Sequence, residues 1–198
     1  MTTVMNSRSY AGGRMDYSGF AKLLHWTIAF CVLAMIPMGF AMTRVPSGLL
    51  QNSLFTLHRS FGVLVGALML ARLAYRLVNG VPAPEPTLTA WQHIVSHLVH
   101  VSLYVLLIAQ PIIGWVASSA YGAAISVFGL FTLPAIVEKD EELSKPLFAA
   151  HELIGYIIAG LVTLHIGAAL FHYFIRRDGV LQRMIPSRIF RHAHKMSG

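Results

Sequence analysis

The stretch HELIGYIIAGLVTLHIGAALFH, His151 to His172, decides how this chain is read. It is apolar almost throughout and carries three histidines. His151 and His165 are 14 residues apart, and His172 follows 7 residues later. At about 100° per residue, 14 steps return to within ~40° of the start and 7 steps to within ~20°, so the three rings share one face of one helix. His151 and His165 then stand roughly 21 Å apart along the axis, most of the way across a hydrocarbon core of about 30 Å. A spanning helix with an imidazole near each leaflet suits a protein with two metal or haem centres. The partner ligands must come from the rest of the chain.

Composition points the same way. Of 198 residues, 56% are hydrophobic and 12% charged, with a mean hydropathy of +0.63. Soluble domains carry about 25% charged residues, so the chain reads as an all-α integral membrane protein. The net charge of +7 does not indicate nucleic-acid binding, because the basic residues flank apolar runs. That pattern is the positive-inside rule. One cysteine, Cys31, excludes an internal disulfide, a thiolate zinc site and covalent c-type haem attachment, and it reads as a small packing residue. Ten histidines are many for this length, and ionisable groups inside membrane segments are functional candidates by default.

Four apolar runs are expected to span, over residues 18–42, 54–77, 90–118 and 146–175. Together they make one domain, 18–177, between a polar cytoplasmic lead, 1–17, and a basic tail, 178–198. The first run holds His25 and Pro37, the second His58 one turn in, with Arg72 and Arg76 at its far end. The third opens with His93, His97 and His100 on one stripe and reaches a bend at Pro111 and Gly114. An interhelical hydrogen bond or plain interfacial solvation is the plainer reading for His93 and His97, as solvation is for His192 and His194. Residues 120–137 are apolar but broken by Gly122, Gly129 and Pro134. As a fifth span they would put the basic tail outside, so they read as an interfacial or re-entrant cap on the outer face. Four spans place Arg8, Arg14, Lys22, Arg72, Arg76, Arg176, Arg177 and Arg183 on the cytoplasmic side with both termini, and the acidic run EKDEELSK outside.

This topology assigns depths. His58 and His151 fall towards the outside, and His25 lies towards the cytoplasm with either His165 or His172 as its partner. Depth leaves that inner choice open. Two bis-histidine sites in a four-helix bundle suggest b-type haem. Zinc, copper and nickel also accept imidazole, but they usually recruit carboxylates or thiolates, and the spans hold almost none. Arg72 and Arg76 suit haem propionates, or serve only as snorkelling topology markers.

The chain resembles the bacterial cytochrome b561 family, from about Tyr17 to Pro186. The resemblance is carried by YSGFAKLLHW (Tyr17–Trp26), the His58 run with Arg72 and Arg76, and SHLVHVSLYVLLIAQPIIGW (Ser96–Trp115). It extends to the FGL and LP segments at Phe128 and Leu133, AAHELIGYIIAGLVTLHIGAALFHYF (Ala149–Phe174), and LQRMIP (Leu181–Pro186). It implies a four-helix transmembrane bundle enclosing two haem b, with His25 and His165 ligating the inner iron and His58 and His151 the outer. It implies a bacterial inner-membrane oxidoreductase of the superoxide oxidase type, passing electrons from periplasmic superoxide to ubiquinone, with His172 and His100 near the quinone. The acidic loop 138–142 would repel superoxide unless Lys139, Lys145, Arg44 and Arg59 dominate the local field. The rival reading is a b subunit relaying electrons between a periplasmic redox partner and the quinone pool. A histidine-lined metal-ion transporter is disfavoured by the scarcity of intramembrane carboxylates.

Overall fold

The computed structural model describes residues 16–185. Arg8, Arg14, His192 and His194, most of the lead and the end of the basic tail lie outside the described residues. Four long helices dominate: α1 (Gly19–Met42), α2 (Leu49–Asn79), α3 (Ala90–Tyr121) and α4 (Glu141–Phe171). All four are long and apolar enough to cross a membrane. A short antiparallel hairpin, β1 (Ile125–Val127) and β2 (Phe131–Leu133), joins α3 to α4. One π-helical turn, His172–Arg176, extends α4.

The helix ends follow from local chemistry. Ser18 caps α1, its Oγ accepting from the Ala21 amide at 3.2 Å, and Thr89 with Gln92 forms a capping box on α3. Asp140 caps α4 by accepting from the Leu143 amide at 3.0 Å, and Glu141 and Glu142 in the first turn complement the helix dipole. Two spans therefore start five residues earlier than their apolar runs, at Leu49 rather than 54 and at Glu141 rather than 146. Hydropathy reports where the chain meets lipid, whereas the hydrogen-bonded ladder continues into polar surroundings. His58 accordingly sits about two and a half turns into α2, not one. Helices α1 and α3 continue through Pro37 and Pro111.

Residues 120–137 form no fifth span. Phe128 and Gly129 both take positive φ, +50° and +73°, which closes the hairpin turn. Ser60, fully buried on α2, pins it: its Oγ donates to the Ser126 carbonyl at 3.0 Å and accepts from the Phe128 amide at 3.0 Å. Arg59 reaches the Ala124 carbonyl, and Trp115 the Pro134 carbonyl. The hairpin thus lies across the ends of α2 and α3.

Backbones approach most closely between α3 and α4, α1 and α2, and α2 and α3; α4 faces α1 and α2 with no comparable backbone contact. A buried apolar layer of Ile28, Cys31, Val32, Val65, Met69 and Ile158 fills the middle of the bundle. Cys31 is thus the packing residue expected. Ile158 is seven residues from both His151 and His165, so this layer lies between two histidine levels about 21 Å apart.

Candidate functional site

Helix α4 presents a histidine at each end of the bundle, and in each case another helix answers it at matching depth. His58 is nine residues into α2 and His151 ten into α4, roughly 14 and 15 Å from the hairpin-end termini of those helices. Their ring centroids are 6.1 Å apart, with planes at 75°. His25 is six residues from the start of α1 and His165 six from the end of α4, each roughly 9 Å in from the opposite, terminal end. Their centroids are 6.2 Å apart, with planes at 69°. Metal–imidazole bonds of about 2.0–2.1 Å put the centroids of two rings trans on one metal ~6–6.5 Å apart. Both separations meet that requirement. The ring that faces His25 is His165, whereas His172 turns away to Asp178.

The hairpin-end site is tight, and its neighbouring cation, Arg59, is directed to the Ala124 carbonyl of the hairpin. Nδ1 of His58 and Nδ1 of His151 are both buried without a hydrogen-bond partner. Glycines make room for these rings. A Cβ on Gly39 would come within 3.3 Å of His58 Cε1, and one on Gly114 within 2.9 Å of His151 Cε1. The second contact is closer than real Cβ atoms allow. Gly114, expected to mark a bend, instead clears space for a histidine. Gln110, one turn earlier on α3, donates from Nε2 to the His151 carbonyl at 2.7 Å, and its Oε1 is buried and unpartnered.

The terminal-end site is polar and surrounded by cations. His100 packs on His165 with centroids 5.0 Å apart, its own Nδ1 tied to the Ser96 carbonyl at 2.5 Å. Arg72 donates to the Ala21 carbonyl at 2.9 Å, and the Arg72 and Arg76 guanidiniums stand 6.0 and 5.4 Å from the Tyr104 ring. Neither has a carboxylate within ion-pair distance among the described residues. Both line a cleft of about 60 Å³ with Tyr17, Ser18, Tyr75 and Tyr104. Two unneutralised guanidiniums at this depth call for an anion, and the two carboxylates of a porphyrin have the matching chemistry.

A family model for prokaryotic cytochrome b561 matches residues 16–187. The chain belongs to that family. It is 30% identical over 171 residues to cytochrome b561 homolog 2 of Escherichia coli K12, covering 85% of this chain and 90% of the relative. It is 32% identical over 180 residues to the probable superoxide oxidase CybB of Yersinia pestis, covering 87% and 97%. Cytochrome b561 homolog 1 of the same E. coli strain is 34% identical over 131 residues, 66% of this chain and 74% of the relative. As a cytochrome b561, the chain is a multi-pass membrane electron-transfer protein of the bacterial inner membrane that binds b-type haem.

Sequence reasoning placed His100 and His172 together; in this cytochrome they have different surroundings. His100 lies against His165. His172 lies beyond it on the π-helical turn, held by Asp178 at 2.5 Å. Gly39, Gly114, Gln110, Ser60 and Asp178 were not foreseen as site residues. Their roles depend on neighbours from other helices or on a chain reversal, which periodicity within one run does not encode.

Proposed function

We propose that the protein carries electrons across the inner membrane between two haem b groups. His58 and His151 would hold one and His25 and His165 the other, with Arg72 and Arg76 directed to propionates of the second. The observation that carries this reading is the pair of imidazole–imidazole separations, 6.1 and 6.2 Å, at matched depths on facing helices. Haem b supplies reversible one-electron chemistry at iron. The protein's part is to present neutral imidazole nitrogens, exclude water with the layer around Ile158, and set the charge near each centre. With two histidines directed to each haem, the residues present would favour outer-sphere electron transfer over ligand binding at the metal.

The hairpin end is the periplasmic side in this reading, and both termini are cytoplasmic. The overall reaction is oxidation of two superoxide ions to dioxygen with reduction of one ubiquinone to quinol, two protons being taken up. Ubiquinone is reduced at the terminal end near His172. The resemblance to CybB of Y. pestis supports superoxide as donor. A relay that serves a protein donor is the second reading, and the hairpin end favours it. Lys139 pairs with Glu141 at 3.0 Å and Lys145 with Glu142 at 2.6 Å, while Arg44 and Arg59 bond backbone carbonyls. The hydrogen bond and the charge of Glu141 hold the Lys139 ammonium above its usual pKa, so it stays charged but neutralised. Arg44 and Arg59 keep their charge, but the carboxylates of Glu138, Asp140, Glu141 and Glu142 equal the four cations in number, so no net positive field is left there to draw in an anion.

The haem-to-protein ratio of the purified cytochrome, by pyridine haemochrome, tests the core of the proposal, and two per chain is expected. A ratio of one would remove the two-centre relay. Stopped-flow mixing of oxidised protein with superoxide tests the donor. Reduced α and Soret bands should appear; if they do not, the protein-partner reading takes its place.

A further inference from the structure

Helix α4 does not end where its apolar face ends. It passes into the π-helical turn His172–Arg176, and Arg177 then takes φ +54°, ψ +38°, a left-handed position that reverses the chain. The Arg177 and Asp178 amides both close back on the His172 carbonyl. This reversal brings Asp178 against His172, six residues earlier, a spacing that on a continuous α-helix points ~120° away. His172 Nδ1 donates to Asp178 Oδ2 at 2.5 Å, and both side chains are buried, 11% and 6% exposed. Asp178 Oδ1 accepts from the Val180 amide at 3.2 Å, and Arg176 Nε stands 3.5 Å from Oδ2.

The rest of this segment is tied to the bundle. Lys22 donates to the Ile185 carbonyl at 2.9 Å and Trp26 to the Met184 carbonyl at 2.9 Å. Arg183 donates to the Ala83 carbonyl, and Arg176 to the Thr87 carbonyl at 2.9 Å. The carboxylate is therefore fixed in place, rather than carried on a loose tail.

We infer that Asp178 is the positioning residue for His172, fixing its tautomer and ring direction so that Nε2 acts as the proton donor in quinone reduction. This rests on the proposal that quinone is reduced at His172. A carboxylate on Nδ1 keeps that nitrogen protonated and leaves Nε2 as the nitrogen that exchanges its proton. The step balances simply. The quinone gains two electrons from the haem relay and two protons. One proton comes from Nε2 of a His172 imidazolium as the N–H bond breaks and an O–H bond forms. The ring is left neutral, with Nδ1–H still on Asp178; Nε2 recovers a proton from the cytoplasmic side and passes it on in turn, which forms the second O–H bond of the quinol. Arg176, with Nε 3.5 Å from Oδ2, sets a positive charge beside the carboxylate.

The test uses the full-length cytochrome loaded with haem and reduced beforehand, reoxidised by a short-chain ubiquinone in stopped flow. Asp178→Asn keeps the shape but should lower the maximal rate about 10–100-fold, the size of effect known for the carboxylate partners of metal-bound histidines. The quinone concentration for half-maximal rate and the haem spectrum should change little. Asp178→Glu should recover most of the rate. The double variant His172→Ala/Asp178→Asn should be no slower than His172→Ala alone. An Asp178→Asn rate within twofold of wild type, with His172→Ala impaired, overturns the inference and leaves the quinone reading standing. Additive losses in the double variant also overturn it, since Asp178 would then act by holding the segment and not through the ring. An unimpaired His172→Ala removes the quinone reading at this site, and the inference with it.

Discussion

The two histidine pairs have nearly the same separation, 6.1 and 6.2 Å, yet their surroundings differ in kind. The hairpin-end pair is enclosed by small residues and apolar walls, with ring nitrogens and a glutamine oxygen left without partners. The terminal-end pair has a third histidine packed on it, two guanidiniums nearby and a polar cleft. The bundle geometry thus repeats, while shape selects at one end and charge at the other. Charge near a centre is a main control on its potential, so the two ends differ in the property that governs electron transfer.

The largest effect expected is loss of one centre at a time. His58→Ala or His151→Ala should lower the haem-to-protein ratio from about two to about one and remove one component of the reduced α band. His25→Ala or His165→Ala should remove the other. Any of these variants that keeps both haems breaks the pairing on which the comparison rests.

Steric change should act on the hairpin end with nearly equal force. Gly114→Ala places a methyl 2.9 Å from His151 Cε1 and Gly39→Ala one 3.3 Å from His58 Cε1. The first should lose most of the haem at that end and the second a smaller part, with the terminal-end component intact in both. Gly160→Ala, where an added methyl would meet no side chain and no other helix within 4 Å, is the control. Equal haem loss from all three would mean that the glycines serve helix packing generally.

Charge should act on the terminal end. Arg72→Gln removes a cation from beside His25 and His165, so reduction there becomes less favourable. The midpoint potential of that centre should fall by on the order of tens of millivolts, with the other centre unmoved. Redox titration of the two α-band components reads this directly, and an equal shift in both would show that the charge is not local to one site.

The smallest effect is at the hairpin. Ser60→Ala leaves the Ser126 carbonyl and the Phe128 amide without their buried partner, at a cost of about 1–3 kcal/mol. Thermal release of haem from the hairpin-end site should occur at lower temperature, while the terminal-end haem is released as before.

Much of this protein follows from its sequence alone. Apolar runs of spanning length have one low-energy solution in lipid, a helix that satisfies its own backbone, so four spans were determined by hydropathy. The 14-residue spacing of His151 and His165 on a helix of 3.6 residues per turn determined that α4 serves both ends. Contacts between helices were decided only in the tertiary structure. Depth allowed His25 to meet either His165 or His172, and packing chose His165 because the chain reverses at Arg177 and gives His172 to Asp178. Periodicity assigned Gly114 to a bend, and the approach of α4 made it clearance for a ring. Residues 120–137 were apolar without period, and side chains on other helices, above all the buried Ser60 hydroxyl, show why they settle as a hairpin. The physical reason is common to all three. Hydropathy and helical period describe one segment against its solvent, whereas a site is built where side chains distant in sequence compete for the same few ångströms.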